Sequence, residues 1–425
     1  MKILQLLCFP LYGSGSGTYV RKLSDVLRKQ GHEVAIVCPD SRELPGIKIF
    51  EVKLPFMAVF TGHPEYKKAK LYSQLTGDQL NRIQSAFMIS IIKAAEEFQP
   101  DVIHVHHASN LSWVANYIKA VFQIHFVVTS HNTDIINAVL DKRYIPLTQD
   151  ALRRADIITA VSKNTRIKLL ETLGKGIRNL ARKTKVVPCG VNVRNFPNKG
   201  PVDKINQKFN LGNRKVVLYS GKVTSIKGVD IFIKAAEKFR DTVFVVMGEG
   251  EELQKMKELA KRTKNIIFTG YLSDKDRVLA TQLYRRADIV AIPSTMSEGI
   301  PLSALEAMSA GAVVIASNLG GIPTVIKNMK NGILIQPRSV NALVKAIETV
   351  LFNEKLANRL IENARKDVVS KFDWKAITKR MIKYYSIAFE RSKKNRVSKK
   401  PSFITDEEYK EEKELVKDMQ NIKEI

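Results

Sequence analysis

Short apolar runs bounded by turn residues recur along this chain, with helical spacings between several of them. Residues 2–9, 33–39, 101–106, 126–130 and 156–160 read as strands, and 18–30 as a helix. A second series opens at 215–220 and continues through 242–247, 265–269, 289–292, 313–316 and 332–335, with helices over 229–239, 251–261 and 276–286. Alternating strand and helix predict an α/β fold with mostly parallel sheets. The stretch from Pro188 to Pro201, rich in Pro, Gly and Asn, separates the two series. The expected plan is two Rossmann-like, doubly wound halves facing each other across a cleft. They cover residues 1–190 and 214–372, with a linker over 191–213. Helical patterns follow at 341–351, 354–371 and 374–391, and a charged tail at 393–425.

The 425 residues suffice for two cores, and the 44% hydrophobic fraction is ordinary for a soluble protein. No apolar run reaches the ~20 residues of a membrane span. The N-terminal apolar stretch lacks a small-residue cleavage site and reads as a strand rather than a signal peptide. Cys8, Cys38 and Cys189 are scattered, which predicts reduced thiols in the cytosol. The net charge of +27 divides into 26 basic against 15 acidic residues over 1–190, and 43 against 27 over 191–425. That excess favours an anionic partner: nucleic acid, a membrane surface or a phosphorylated substrate. Solubility and surface ion pairs are the plainer reading. The basic segment from Lys163 to Lys183 either lies on an anionic membrane or packs its apolar stripe on the sheet.

The most informative stretch is Pro293-Ser-Thr-Met-Ser-Glu298-Gly-Ile-Pro-Leu-Ser-Ala-Leu-Glu306. It joins a strand to a helix, and eight residues separate its carboxylates. At ~3.6 residues per turn this predicts nearly the same face, two turns apart. In open α/β sheets ligands bind at the carboxyl ends of strands, and a helix N-terminus there receives phosphate. Carboxylates beside an anion site need hydroxyl donors, which sugar and ribose supply.

The loop Gly13-Ser-Gly15-Ser-Gly17-Thr18 follows the first strand. It reads as a tight turn, or as a wall that lets a sugar phosphate approach the backbone. A dinucleotide fingerprint fits poorly because the third glycine comes one residue early, although Asp40 lies near the ribose-contact distance. Gly221-Lys222-Val-Thr-Ser-Ile-Lys227-Gly228 also links strand to helix, and its two cations could reach one diphosphate. It is no Walker motif. Gly248-Glu-Gly250 reads as a turn capping the next helix, and Gly270-Tyr271 as a strand end against which a base could stack. His131 ends a buried strand on the cleft side. His104, His106 and His107 are expected in the core and cleft wall rather than on a metal. Asp274-Lys-Asp276 is read as a helix cap, not a metal site.

Together these residues resemble the GT-B glycosyltransferases of the retaining, group-4 type, over roughly residues 1–390. The Glu298-x7-Glu306 element and the run from Gly299 to Gly311 carry the resemblance most specifically. It implies a transfer of a hexose from a nucleoside diphosphate sugar (UDP-, GDP- or ADP-linked) to an acceptor, with retention of configuration and without metal or cofactor. Glu306 would hold ribose hydroxyls and Glu298 the transferred sugar. Backbone groups at Ile300, Pro301 and Leu302 would line sugar and phosphate, although Pro301 has no N–H. Lys227 matches a phosphate-binding lysine, and Lys222 stands where the family usually has arginine. His131 would sit beside the donor sugar, as a catalytic residue with Glu298 and Lys227. Gly15 and Gly17 match the N-terminal glycine loop, and Gly270 and Tyr271 complete the expected nucleotide-sugar set. The helix near Trp374 is expected to cross back to the first half.

The acceptor is expected to be anionic, shaped by an irregular insertion over residues 56–72, and peripheral contact with the inner membrane face is a further expectation. A GT-B epimerase or phosphorylase is the alternative enzyme. A nucleic-acid-binding protein is a third reading, which the absence of a recognition motif disfavours.

Overall fold

The computed structural model describes residues 1–60, 63, 65–272, 276–297 and 299–398. Glu298, Asp274 and the tail from residue 399 therefore lie outside the described residues.

The first half holds a seven-stranded parallel sheet. Its strands are β1 (Lys2–Leu6), β2 (Glu33–Cys38) and β3 (Lys48–Glu51), then, beyond a small parallel pair, β4 (Ala58–Val59) and β5 (Lys70–Leu71), come β6 (Val102–His106), β7 (Phe126–Ser130), β8 (Ile157–Ala160) and β9 (Thr184–Val186). The order across the sheet is β3-β2-β1-β6-β7-β8-β9. The second half holds six parallel strands, β10 (Lys215–Ser220), β11 (Thr242–Met247), β12 (Ile266–Gly270), β13 (Ile289–Ile292), β14 (Val313–Ser317) and β15 (Ile333–Ile335), in the order β12-β11-β10-β13-β14-β15. Central strands such as β6, β7, β11 and β14 are buried at every position, because helices cover both faces.

Each sheet reverses its winding once, between β1 and β6 in the first half and between β10 and β13 in the second. Such a switch point opens a crevice at the carboxyl ends of the strands. The glycine loop follows β1, His107 follows β6, the lysine loop follows β10, and the Pro293–Pro301 loop follows β13. All four motif-bearing loops thus issue from the two switch points.

Several expectations are corrected. The helix after β13 opens only at Leu302, where Pro301 holds an extended backbone (φ −67°, ψ 125°). Glu306 is therefore helical, but the helix supplies only one turn before it and not the two turns expected, and Glu298 itself lies outside the described residues. Proline biases the residue before it away from the helical region, which keeps the loop open to that point. Gly250 does not cap the following helix, which starts at Leu253 behind Glu252. Asp276 does stand at the N-terminus of Arg277–Arg286, but its side chain makes no capping bond there. The stretch read as linker contains a helix, Asp203–Phe209. The basic segment from Lys163 needs no correction: it breaks where Gly174 and Gly176 stand, between the helices Lys163–Leu173 and Leu180–Lys183.

The terminal helix, Trp374–Ser398, packs on the helix Gly15–Lys29 and on β6 and β7. Its Trp374, Ile377, Met381, Tyr385 and Ala388 are buried in the core of the first half.

Candidate active site

In the second half, Ser220, Gly221, Lys227, Pro301, Leu302, Ser303 and Glu306 line one cavity. Gly228 turns the chain into its helix with φ +71°, and a Cβ there would strike the Pro293 carbonyl, so this turn requires glycine. Gly248 and Gly250 serve a similar end. A Cβ on either would overlap the Gly221 or Val223 carbonyl, and Val223 N–H instead donates to Glu249 O at 2.9 Å. The lysine loop is thus braced by its neighbour, and Tyr219 Oη donates to Lys222 O at 2.6 Å. Burial, and then the charge of Lys227, hold the Lys222 ammonium below the usual lysine range.

Glu306 is half-buried on the cavity wall, and desolvation there raises its carboxyl above the ordinary value. A hydrogen bond from Tyr284 and the charge of Lys22 act against that rise. Tyr284 Oη stands 2.6 Å from Glu306 Oε2 and 2.7 Å from Ser220 Oγ. A phenol has one hydrogen, and the carboxylate is the stronger acceptor, so Tyr284 donates to Glu306 and accepts from Ser220. This anchors one carboxylate oxygen and leaves the other for a ligand. Tyr284 was not singled out from the sequence, because its link to Glu306 is made only by the packing of two helices.

Across the cleft, a second cavity joins both halves. Gly13, Gly15, His131 and Trp374 line it from one side, and Lys222, Gly299, Ile300 and Leu302 from the other. Leu302 borders both cavities, so they adjoin at the start of its helix. Ser14 caps the first helix, accepting from Gly17 N–H at 3.0 Å. The two expected glycines differ in role. A Cβ at Gly17 would overlap Leu11 O, so Gly17 is needed for packing, while Gly15 faces open space on the cleft.

His131 is half-buried and belongs to a chain of buried polar groups. His106 Nε2 lies 2.6 Å from Gln5 Oε1, and His106 Nδ1 lies 3.1 Å from His131 Nε2. The amide oxygen can only accept, so His106 carries its hydrogen on Nε2. Its Nδ1 then accepts from His131 Nε2–H, which leaves His131 Nδ1 with the lone pair. Burial holds both rings well below the usual histidine range, so both are neutral. Asp134 fixes the backbone around them, accepting from His131 N–H at 3.1 Å and Ala108 N–H at 2.7 Å. His104 belongs to the core as expected, 2.7 Å from Tyr385 Oη on the terminal helix.

The stretch 202–367 matches the model for glycosyl transferases group 1, and 13–195 the model for glycosyltransferase family 4. The chain belongs to this glycosyltransferase family. An uncharacterized glycosyltransferase of Methanocaldococcus jannaschii is 25% identical over 410 residues, covering 90% of this chain and 96% of its own. Glycogen synthase of Mycobacterium tuberculosis is 23% identical over 407 residues, covering 89% and 92%. Sucrose-phosphate synthase from Thermosynechococcus elongatus superposes with a TM-score of 0.73 at 21% identity, over 92% of this chain and 99% of that one. Anabaena HepE, solved with UDP, gives 0.69 at 18% identity, over 91% and 100%. These likenesses show the GT-B fold, two Rossmann-like halves with no closed barrel.

In this glycosyltransferase the cleft gathers His131, Gly15, Lys222, Lys227, Ile300, Leu302 and Glu306. Gly270 and Tyr271 stand apart, at the end of the edge strand β12 and two strands from β10, with Tyr271 largely exposed. Gly270 O accepts from Gly248 N–H at 3.0 Å and so braces the neighbouring loop. Within the insertion, Val59, Phe60 and His63 line the cleft, and His63 Nε2 lies 2.9 Å from Tyr12 O. Among the described residues no helix is long and apolar enough to cross a membrane.

Proposed function

We propose that this glycosyltransferase moves a hexose from a nucleoside diphosphate sugar to an anionic acceptor, with retention of configuration. The observation that carries the reading is Glu306, a half-buried carboxylate with one oxygen anchored by Tyr284, in the same cavity as Lys227 and the N-terminus of its own helix. That combination suits a ligand bearing hydroxyls at one end and a diphosphate at the other. HepE has been solved with UDP and with UDP-glucose, and a Mycobacterium tuberculosis relative is a GDP-mannose-dependent mannosyltransferase. Both names support a sugar-nucleotide donor.

In this reading Glu306 accepts from the ribose hydroxyls, and Glu298 holds hydroxyls of the transferred sugar. Lys222, Lys227 and the N–H groups of Ile300 and Leu302 stabilise the leaving diphosphate, where charge develops as the glycosidic bond breaks. His131 lies beside the donor sugar, and Gly15 lines the same wall, in a loop that Gly17 packs against Leu11. The acceptor hydroxyl attacks the anomeric carbon from the face the diphosphate leaves. The C–O bond to the phosphate breaks, and a departing phosphate oxygen takes the acceptor's proton. Charge on the lysines then replaces a metal ion. The basic surface of the first half suits an anionic acceptor and peripheral contact with a membrane.

Incubation with labelled UDP-, GDP- and ADP-sugars tests the assignment. Nucleotide release should fall at least about tenfold in Glu306→Ala and in Lys227→Ala. Unchanged release in both variants would overturn it.

A further inference from the structure

The helix Thr133–Leu140 is apolar on two faces. It buries Ile135 and Ala138 together with the polar Asp134 and Asn137, and still turns further apolar side chains to solvent. Val139 is 60% exposed and Leu140 65%, with Ile136 beside them on the same face at helical spacing. The inward carboxylate is explained by the site, since Asp134 holds the His131 and Ala108 backbone. Nothing in the core explains the outward face, where polar residues would cost the fold nothing. The next helix, Tyr144–Arg154, continues the surface with Leu147, 55% exposed. Ile167, on the helix Lys163–Leu173 that packs against Thr133–Leu140, is exposed as well. Contiguous apolar surface of this kind marks an interaction site.

Its rim is cationic. Lys142 and Arg143 form the turn between the two helices, and Lys163 and Lys168 lie on the third. The acids on these elements are fewer. Asp134 and Asp141 are buried, Asp141 is paired with Arg143 at 2.7 Å, and Glu171 and Asp150 lie further along their helices. The tip is also tied down: Tyr144 Oη donates to Tyr72 O at 3.1 Å, in a segment that runs back into exposed Lys67, Lys68 and Lys70.

We infer that the tip formed by the Thr133–Leu140 and Tyr144–Arg154 helices docks on an anionic lipid bilayer. Apolar side chains ringed by cations match the acyl boundary and the charged headgroups of such a surface. The placement gives docking a use. The helix Thr133–Leu140 starts two residues after His131, and its first residue, Thr133, lines the cleft. A docked tip would therefore hold the cleft beside the bilayer, where an acceptor carried on a lipid would be presented. That use rests on the transferase reading above, whereas docking itself does not.

Sedimentation of the full chain with sucrose-loaded vesicles tests the inference without catalysis. The protein should bind vesicles of mixed phosphatidylcholine and phosphatidylglycerol more tightly than phosphatidylcholine alone, and added salt should weaken the binding. Val139→Ser combined with Leu140→Ser should lower the partition onto mixed vesicles by about tenfold or more. Both positions are exposed, so folding and UDP, GDP or ADP binding should not change, and nucleotide binding measured alongside separates failure of docking from failure of the donor site. No binding by the unmodified chain overturns the inference. So does equal binding by the variant, which would place the contact on basic residues elsewhere. A dimer that the double substitution dissociates also overturns it, by showing that a second copy covers the face.

Discussion

Replacing Glu306 by glutamine should make the ligand-free enzyme more stable and a poorer binder. Burial raises the Glu306 carboxyl, so the folded state holds its proton more tightly than the unfolded chain. That group therefore favours folding at acid pH, and the contribution is lost as pH rises through the folded value. At neutral pH the desolvated charge is a cost, which the amide removes. Glutamine keeps one carbonyl oxygen, and Tyr284 Oη, 2.6 Å away in the native site, will claim it. The freed carboxylate oxygen is replaced by an amide N–H₂ that cannot accept from ribose. The donor thus loses one hydrogen bond to a charged group, worth about 1.5–3 kcal/mol, which is roughly ten- to 150-fold in affinity. Thermal unfolding at neutral pH without nucleotide, and titration with the donor nucleotide, give the two readouts. A lower melting temperature together with donor affinity within about threefold of the parent would refute the reasoning.

Lys222→Ala should weaken diphosphate binding by about 1.5–3 kcal/mol. The native enzyme should also lose affinity toward alkaline pH sooner than an ordinary lysine would allow, because the Lys222 ammonium is held low; Lys222→Arg should flatten that alkaline limb, and identical profiles in titration calorimetry would count against it. Over the same range the ligand-free fold should gain stability, since the unfolded chain binds the proton more tightly. Gly228→Ala should cost about 1–3 kcal/mol for its left-handed backbone, with more for the displaced Pro293 carbonyl, read as a lower melting temperature. Gln5→Leu frees His106 to move its hydrogen to Nδ1, which would make His131 Nε2 an acceptor. Nitrogen chemical shifts of labelled histidines would report the exchange, and unaltered His131 shifts would contradict the chain of bonds drawn from Gln5.

The strands were legible where burial on both faces writes a continuous apolar run, as in 126–130, 215–220 and 289–292, which match β7, β10 and β13 residue for residue. The edge strands of the first half were not, although β12 and β15 at the edges of the second were expected to within a residue of their bounds. β3 has exposed ends and one fully buried residue, and β9 has only three residues, so neither carries such a run. The lysine loop, the glycine loop and Glu306 could be placed because each adjoins a strand end and a helix start. Tyr284 and Gln5 could not. Neither stands in a motif, and only the fold brings them against Glu306 and His106. The exposed apolar face of Thr133–Leu140 escaped for a related reason: the helix has apolar residues on two faces, and only the neighbouring elements show which one is covered.

The chain passes between the halves twice, and the two passages are stitched together. Val191 N–H donates to Phe372 O at 2.8 Å, and Trp374 N–H to Val191 O at 3.1 Å. Beside them a Cβ at Gly190 would lie 2.7 Å from the Trp374 ring. A pair of crossings bonded at one place is a pivot, and any change in the angle between the halves must turn about it. Trp374 also packs edge-on against Tyr19, and Tyr19 against His131, each with ring centres 5.2 Å apart. The back wall of the cleft is thus part of the axle. On opening, His131 stays with the axle while Lys227, carried on the far half, swings away, so the distance between them gauges how far the jaws have closed.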